Sequence, residues 1–177
     1  MGKIDFYKTK KLSEFTEEEW EQVCMRCGKC CMHKYEDKNY IYFSNMMCRQ
    51  FDLEKNCCSC YESRLNNFSC KKVDMHALEN NLELLPDTCA YRLLFEGKDL
   101  PDYHPLITGN PLSPTLAGAT VKSLPVYSQN VLSKALYDLH TTASKENWTE
   151  EKFLVEESLI FQKYQQKPLL VFPLIKK

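Results

Sequence analysis

VCMRCGKCCMHK, residues 23–34, places Cys24, Cys27, Cys30 and Cys31 in the spacing C-x2-C-x2-C-C. Three chemistries crowd thiols in this way: a disulfide framework, a redox pair and a metal site. The 177-residue chain has ten cysteines in all, and Cys48, Cys57, Cys58, Cys60, Cys70 and Cys89 are the others; the second half has none. Disulfide scaffolds normally follow a signal peptide, and MGKIDFYKTKKLSEF has no apolar segment of that kind. No apolar run reaches the roughly 18 residues that would span a bilayer. The expectation is a cytoplasmic chain with reduced thiols, and there a thiol cluster points to metal ligation or redox chemistry.

The length fits one domain. With 23 basic and 24 acidic residues the formal net charge is −1. The two signs are interspersed rather than gathered in a stripe, which argues against a nucleic-acid partner. No P-loop, G-x-G-x-x-G, G-x-S-x-G or H-E-x-x-H occurs, so no standard catalytic set is present.

Working outward from the motif, Thr16 and Glu19 form a capping box, with Phe15 and Trp20 at the staple positions. They predict a helix from Glu17 to about Arg26, stopped by Gly28, with Cys24 and Cys27 on one face of its last turn. YIYFS, residues 40–44, reads as a strand. Residues 45–72 carry five cysteines and little periodicity. Ordering such a stretch costs about 1–2 kcal/mol of backbone entropy per residue, which a metal cross-link would offset. A second helix is expected from near Pro86, capped by Asp87 or Thr88 and ended by Gly97, with Cys89 in its first turn. PDYHPLITGNPLSP, residues 101–114, reads as an extended, turn-rich loop. Val131, Leu132, Ala135, Leu136 and Leu139 keep helical spacing. Thr149 caps a further helix to about Gln165, stapled by Trp148 and Phe153. The apolar tail KPLLVFPLIKK is too short to span a membrane and is read as packing on the domain.

Zinc takes four soft or borderline ligands in a tetrahedron, and Cys24 with Cys27 makes the C-x2-C half of such a site. A second pair could come from Cys48 or from the group at Cys57 to Cys60, although no second C-x2-C completes a standard finger. Iron–sulfur ligation is equally compatible. Cys24, Cys27 and Cys30 match the first three positions of the bacterial ferredoxin run, and a remote Cys48 or Cys89 would supply the fourth. Neighbouring residues usually point apart, so at most one of Cys30 and Cys31 is expected in any single site, the other being free for a second site or for packing. Among the histidines, His33 is the best placed to join as a ligand and His104 the next, whereas His76 and His140 are expected in solvent.

FYKTKKLSEFTEEEWEQVCMRCGKCCMHK, IYFSNMMCRQFDLE and TCAYRLLFEGKDLPDYHPLITG are long, ordered blocks. Through them the chain resembles the YcgN-like cysteine-cluster family of bacterial proteins, described by a C-x2-C-x2-C-C zinc- or iron-chelating domain. The resemblance covers about residues 5–125. It implies ligands at Cys24, Cys27, Cys30, Cys31, Cys48, Cys70 and Cys89, and a C-x-C just before a tyrosine. NCCSCY meets that element either with Asn56 and Cys58 or with Cys58 and Cys60 before Tyr61. The tail beyond about residue 130 is longer than the family pattern.

Together these readings give a small α+β domain, mostly helical and irregular, organised around a cysteine metal cluster over residues 1–130. A helical extension, residues 131–177, packs on it. The leading function is binding of zinc or iron, the latter as a mononuclear site or an iron–sulfur cluster, through Cys24, Cys27, Cys30, Cys31, Cys48, Cys58, Cys60, Cys70 and Cys89. The alternatives are a redox or transferase-type enzyme, with Arg92, Asp102, Tyr103 and His104 as its polar groups, and an adaptor whose metal is structural and whose C-terminal helices dock a protein partner.

Overall fold

The capping box forms as written: the Thr16 hydroxyl accepts from Glu19 N–H at 3.2 Å, and the Glu19 carboxylate accepts from Thr16 N–H at 3.0 Å. In the computed structural model, which describes residues 5–66 and 70–173, the helices are α1 (Phe6–Thr9), α2 (Glu17–Val23), α3 (Met75–Asn80), α4 (Ala90–Phe95), α5 (Pro105–Thr108), α6 (Ser113–Leu116), α7 (Gln129–Lys145) and α8 (Glu150–Lys163). The strands are β1 (Met32–Glu36), β2 (Tyr40–Met47), β3 (Phe51–Asp52), β4 (Cys57–Cys58), β5 (Tyr127–Ser128) and β6 (Pro168–Pro173). This is a small α+β fold, as expected.

The long strand β2 is the axis of the main sheet. β1 pairs antiparallel along one edge, with Met32 opposite Met47 and Glu36 opposite Ile41. The other edge is shared, β6 antiparallel beside Tyr40–Ser44 and β5 parallel beside Met46 and Met47. The apolar tail thus becomes a sheet strand through Pro173; its last four residues lie outside the described ones. Alternation sends Ile41 and Phe43 inward, where they join Met32, Met47, Phe51 and Val121 in one core. A second core gathers Val23, Leu78, Leu85, Ala90, Tyr91 and Leu100 around α2 and α4. There Trp20 stacks on Tyr91 with ring centroids 4.9 Å apart, donates its indole N–H to the Val73 carbonyl, and accepts the Tyr91 hydroxyl on its own carbonyl.

Several element boundaries differ from expectation, each for a physical reason. α2 ends at Val23, not near Arg26, because Cys24 is extended and Arg26 is left-handed, φ 53°. Cys24 and Cys27 therefore share a turn rather than a helix face. α4 starts at Ala90 and Cys89 is its N-cap. The proline-rich stretch is not all extended: α5 and α6 each carry proline in the first turn, where its missing N–H has no helical partner to lose. Part of the cysteine-rich stretch forms the β3–β4 hairpin, with Phe51 opposite Cys58 and Asp52 opposite Cys57. α7 and α8 pack on each other, with Ser128 and Thr149 as their caps. Among the described residues, no helix is long and apolar enough to cross a membrane.

Candidate metal centre

The turn that carries the motif is built by main-chain geometry. Gly28 sits at φ 77° and closes a turn in which Cys31 N–H reaches the Gly28 carbonyl at 2.9 Å. Val121 N–H holds the Cys27 carbonyl at 2.9 Å, and Asn56 Nδ2 holds the Arg26 carbonyl at 2.7 Å. Three sulfurs receive main-chain donors: Cys24 from Arg26, Cys27 from Lys29, and Cys89 from Tyr91 and Arg92 at the start of α4. Donors of this kind favour the thiolate, the form that ligates metal.

The cysteines fall into two groups joined through Cys30, whose sulfur is hydrogen-bonded by Cys31 and also acts on Cys70. Cys24, Cys27, Cys30 and Cys89 act on one another electrostatically. Cys24 and Cys89 pack against the α2–α4 core, and Lys29 ties the motif to this region through a 3.3 Å hydrogen bond to Thr88. The second group is Cys31, Cys48, Cys58, Cys60 and Cys70. Cys31 and Cys48 pack against the sheet core, and Cys48 N–H bonds the Cys31 carbonyl at 2.9 Å. The Cys58 and Cys60 sulfurs lie 3.8 Å apart, so of the two readings of the C-x-C element the one with Cys58 and Cys60 is the pair brought together. Asn56 instead serves the Arg26 carbonyl. Cys57, next to Cys58 in β4, projects to the opposite face of that strand. All ten cysteines are free thiols.

Burial pushes Cys24 and Cys89 up to about 12, and raises Cys27 as well. Cys30 moves the other way. The Cys31 thiol donates to its sulfur, and Lys34 and Arg64 add positive charge, so Cys30 is lowered while Cys31 is raised by the same hydrogen bond. Among the described residues, no three His, Cys, Asp or Glu side chains stand together closely enough to hold an ion as they are. The chemistry of the donor set fits a soft or borderline cation, because sulfur is plentiful and main-chain N–H groups already face three of the sulfurs.

His33 stands apart from the sulfurs: it bonds Gln129, and its basicity is lowered by burial, then by Lys34 and Arg49. His104 has a structural role. It is fully buried, its Nδ1 accepts from Leu106 N–H at 3.1 Å, and its Nε2 lies 2.9 Å from the Val23 carbonyl. Those partners require the neutral Nε2–H tautomer, and burial lowers its pKa. A folded pKa below the unfolded value contributes stability that is complete above about pH 6.5 and lost as the pH falls through the folded value. His104→Ala leaves both backbone partners unsatisfied and is expected to cost about 2–4 kcal/mol at pH 8. Denaturant midpoints should show the wild-type advantage shrinking between pH 6.5 and pH 5; a constant gap would contradict the neutral-histidine role.

Arg92 is likewise committed to the fold through its side chain, and Tyr103 through its main chain. The Arg92 guanidinium bonds the Glu96 carboxylate and the Leu85 carbonyl, both at 2.8 Å, and the Tyr103 carbonyl accepts from Ser113. Asp102 is exposed, as are His76 and His140, although the His140 ring lies 4.8 Å from that of Phe153. Sequence reading passed over Lys34 and Arg64, which bring positive charge to the sulfurs; Lys34 lies three residues beyond Cys31, the only available signal.

No family model matches the chain, and no solved structure does. Curated relatives match well. The chain is 44% identical over 124 residues to a UPF0260 protein of Haemophilus influenzae strain PittEE, spanning 67% of this chain and 82% of that one. It is 46% identical over 113 residues to the UPF0260 protein YcgN of Escherichia coli strain K12, spanning 62% of this chain and 73% of that one.

Proposed function

The chain belongs to the YcgN-like UPF0260 family, and we propose that it is a metal-binding protein that holds zinc or iron through its clustered cysteines. The observation that carries this reading is the C-x2-C-x2-C-C motif itself, with sulfurs of Cys48, the Cys58–Cys60 pair, Cys70 and Cys89 near enough to act electrostatically on it or on one another. Cys24, Cys27, Cys30 and Cys89 would hold one ion or cluster. Four of Cys31, Cys48, Cys58, Cys60 and Cys70 would hold a second. Binding would require these thiols to lose their protons. Zinc held there would cross-link separate segments of the chain, and iron would add electron transfer.

Purification under nitrogen, followed by elemental analysis and a visible spectrum, tests the reading. A brown protein absorbing near 400 nm identifies an iron–sulfur cluster, and a colourless protein with stoichiometric zinc identifies a zinc site. A chain that carries neither, and takes up neither from solution while reduced, contradicts the proposal.

A second reading, an adaptor with a structural metal, is favoured by α8, on which Leu154, Val155, Leu159 and Phe161 are each about half exposed. It requires a redox-inert centre, so reversible one-electron cycling of the bound metal would exclude it.

A further inference from the structure

Cys58 and Cys60 lie on one side of β4 and the turn that follows it. Residues two apart on a strand face the same way, and these two sulfurs are 3.8 Å apart. Cys57 faces the other side of the strand. Main-chain bonds hold the placement from both ends. Cys58 pairs with Phe51 across the hairpin. Ser59 N–H donates to the Gln50 carbonyl at 2.8 Å, and the Ser59 hydroxyl donates to the same carbonyl at 2.9 Å. The Cys60 carbonyl accepts from Ser63 N–H at 3.1 Å. Both cysteines are half-buried free thiols, open enough for a small oxidant. A disulfide spans Cα atoms up to about 7 Å apart, and residues two apart on a strand are about 6.6 Å apart, so rotation of the two side chains closes the gap. The Cys30 and Cys31 sulfurs also share a hydrogen bond, but adjacent Cα atoms are about 3.8 Å apart, below the ordinary span of a disulfide.

We propose that Cys58 and Cys60 form a reversible dithiol–disulfide couple, a site of oxidative modification by hydrogen peroxide. The thiolate of one attacks a peroxide oxygen; the O–O bond breaks, the other oxygen leaves as water, and a sulfenic acid remains. The second sulfur then attacks the first, the S–S bond forms, and the sulfenic oxygen leaves as a second water. Two thiols and one peroxide thus become one disulfide and two waters, the sulfurs losing the two electrons that the peroxide gains. A dithiol reductant restores the pair by exchange through a mixed disulfide. Because the resolving thiol is already in contact, closure outruns further oxidation to sulfinic acid. The inference does not rest on the metal-binding reading. These sulfurs cannot hold a metal and bond each other at once, so oxidation of the pair competes with any metal there.

The test treats the full chain, as purified under nitrogen and again after a chelator, with equimolar hydrogen peroxide, then N-ethylmaleimide and trypsin. Cleavage leaves NCCSCYESR, residues 56–64, with Cys57, Cys58 and Cys60 on one peptide. That peptide should be lighter by two hydrogens, carry a single maleimide on Cys57, and regain both hydrogens with dithiothreitol. The Cys58–Cys60 bridge should exceed either bridge to Cys57 by about tenfold or more, and urea should abolish that preference by freeing Cys57 from the opposite face. Cys57→Ser should keep the bridge and Cys60→Ser lose it. The same mixture of bridges in the native chain as in urea overturns the inference. So does recovery of Cys58 and Cys60 as maleimide adducts or sulfinic acids. Absence of the bridge both before and after chelation overturns it too, and leaves the metal-binding reading standing.

Discussion

Cys27→Ser should release bound metal and melt much of the N-terminal two-thirds of the chain. Cys27 is buried, its sulfur receives Lys29 N–H, and its carbonyl receives Val121 N–H, so it joins the motif turn to the segment that closes the sheet core. A serine oxygen keeps the size and loses the soft ligand. Structural zinc contributes about 10–16 kcal/mol to small metal-dependent folds, whereas a whole domain is stable by about 5–15 kcal/mol. Losing the site thus removes an amount comparable to the entire stability. Metal analysis and thermal melting by circular dichroism read the result. Cys57→Ser is the control, since Cys57 belongs to neither group, and it should keep both metal and melting temperature. Full metal retention with unchanged melting in Cys27→Ser would refute the role assigned to this sulfur.

Gly28→Ala should be the most damaging single methyl in the motif. The left-handed conformation costs an L-residue about 1–2 kcal/mol. The added Cβ would also stand 2.6 Å from Phe51 Cζ and 2.8 Å from Val121 Cγ2, both in the sheet core. Forcing a carbon into a packed core adds about 1–3 kcal/mol, for a total of about 3 kcal/mol. Gly97→Ala separates the two effects, because Gly97 has φ 71° and nothing within 4 Å of its added Cβ. It should lose only about 1 kcal/mol. Urea midpoints of the two variants, taken with metal bound, give the difference; equal losses would mean that the Gly28 contact relaxes without cost.

The local signals of the sequence were legible where one chemistry dominates. Thr16 with Glu19, Phe15 with Trp20, and Thr149 before α8 are caps and staples whose hydrogen-bonding and apolar groups lie within a few residues of one another. The YIYFS strand was legible from its aromatic and branched residues, and β2 extends it to Met47. What could not be read depends on partners far along the chain. The early end of α2 follows from the Cys24 sulfur taking Arg26 N–H and from Asn56, thirty residues away, holding the Arg26 carbonyl. The burial of His104 depends on Val23, and no local pattern around PDYHPL announces that contact. β6 read as an ambiguous apolar tail because β2, some 130 residues earlier, supplies its register.

The candidate site shows the same division. The motif announced itself by spacing alone, whereas the expectation that Cys30 and Cys31 point apart did not foresee the hydrogen bond between their sulfurs. The assignment of Cys89 to the first group and of Cys48, Cys58, Cys60 and Cys70 to the second depends on which core each packs against or which sulfurs it meets.

Differential alkylation tests the convergence of the sulfurs most directly. The native chain, kept reduced, is treated with iodoacetamide before and after metal removal, and each cysteine is scored by peptide mass. Cys24, Cys27, Cys30, Cys31, Cys48, Cys70 and Cys89, with the Cys58–Cys60 pair, should be protected until the metal is withdrawn, while Cys57 reacts throughout. The same reactivity at every cysteine with and without chelator, or recovery of these residues as disulfide-linked peptides from the reduced chain, would contradict a shared metal.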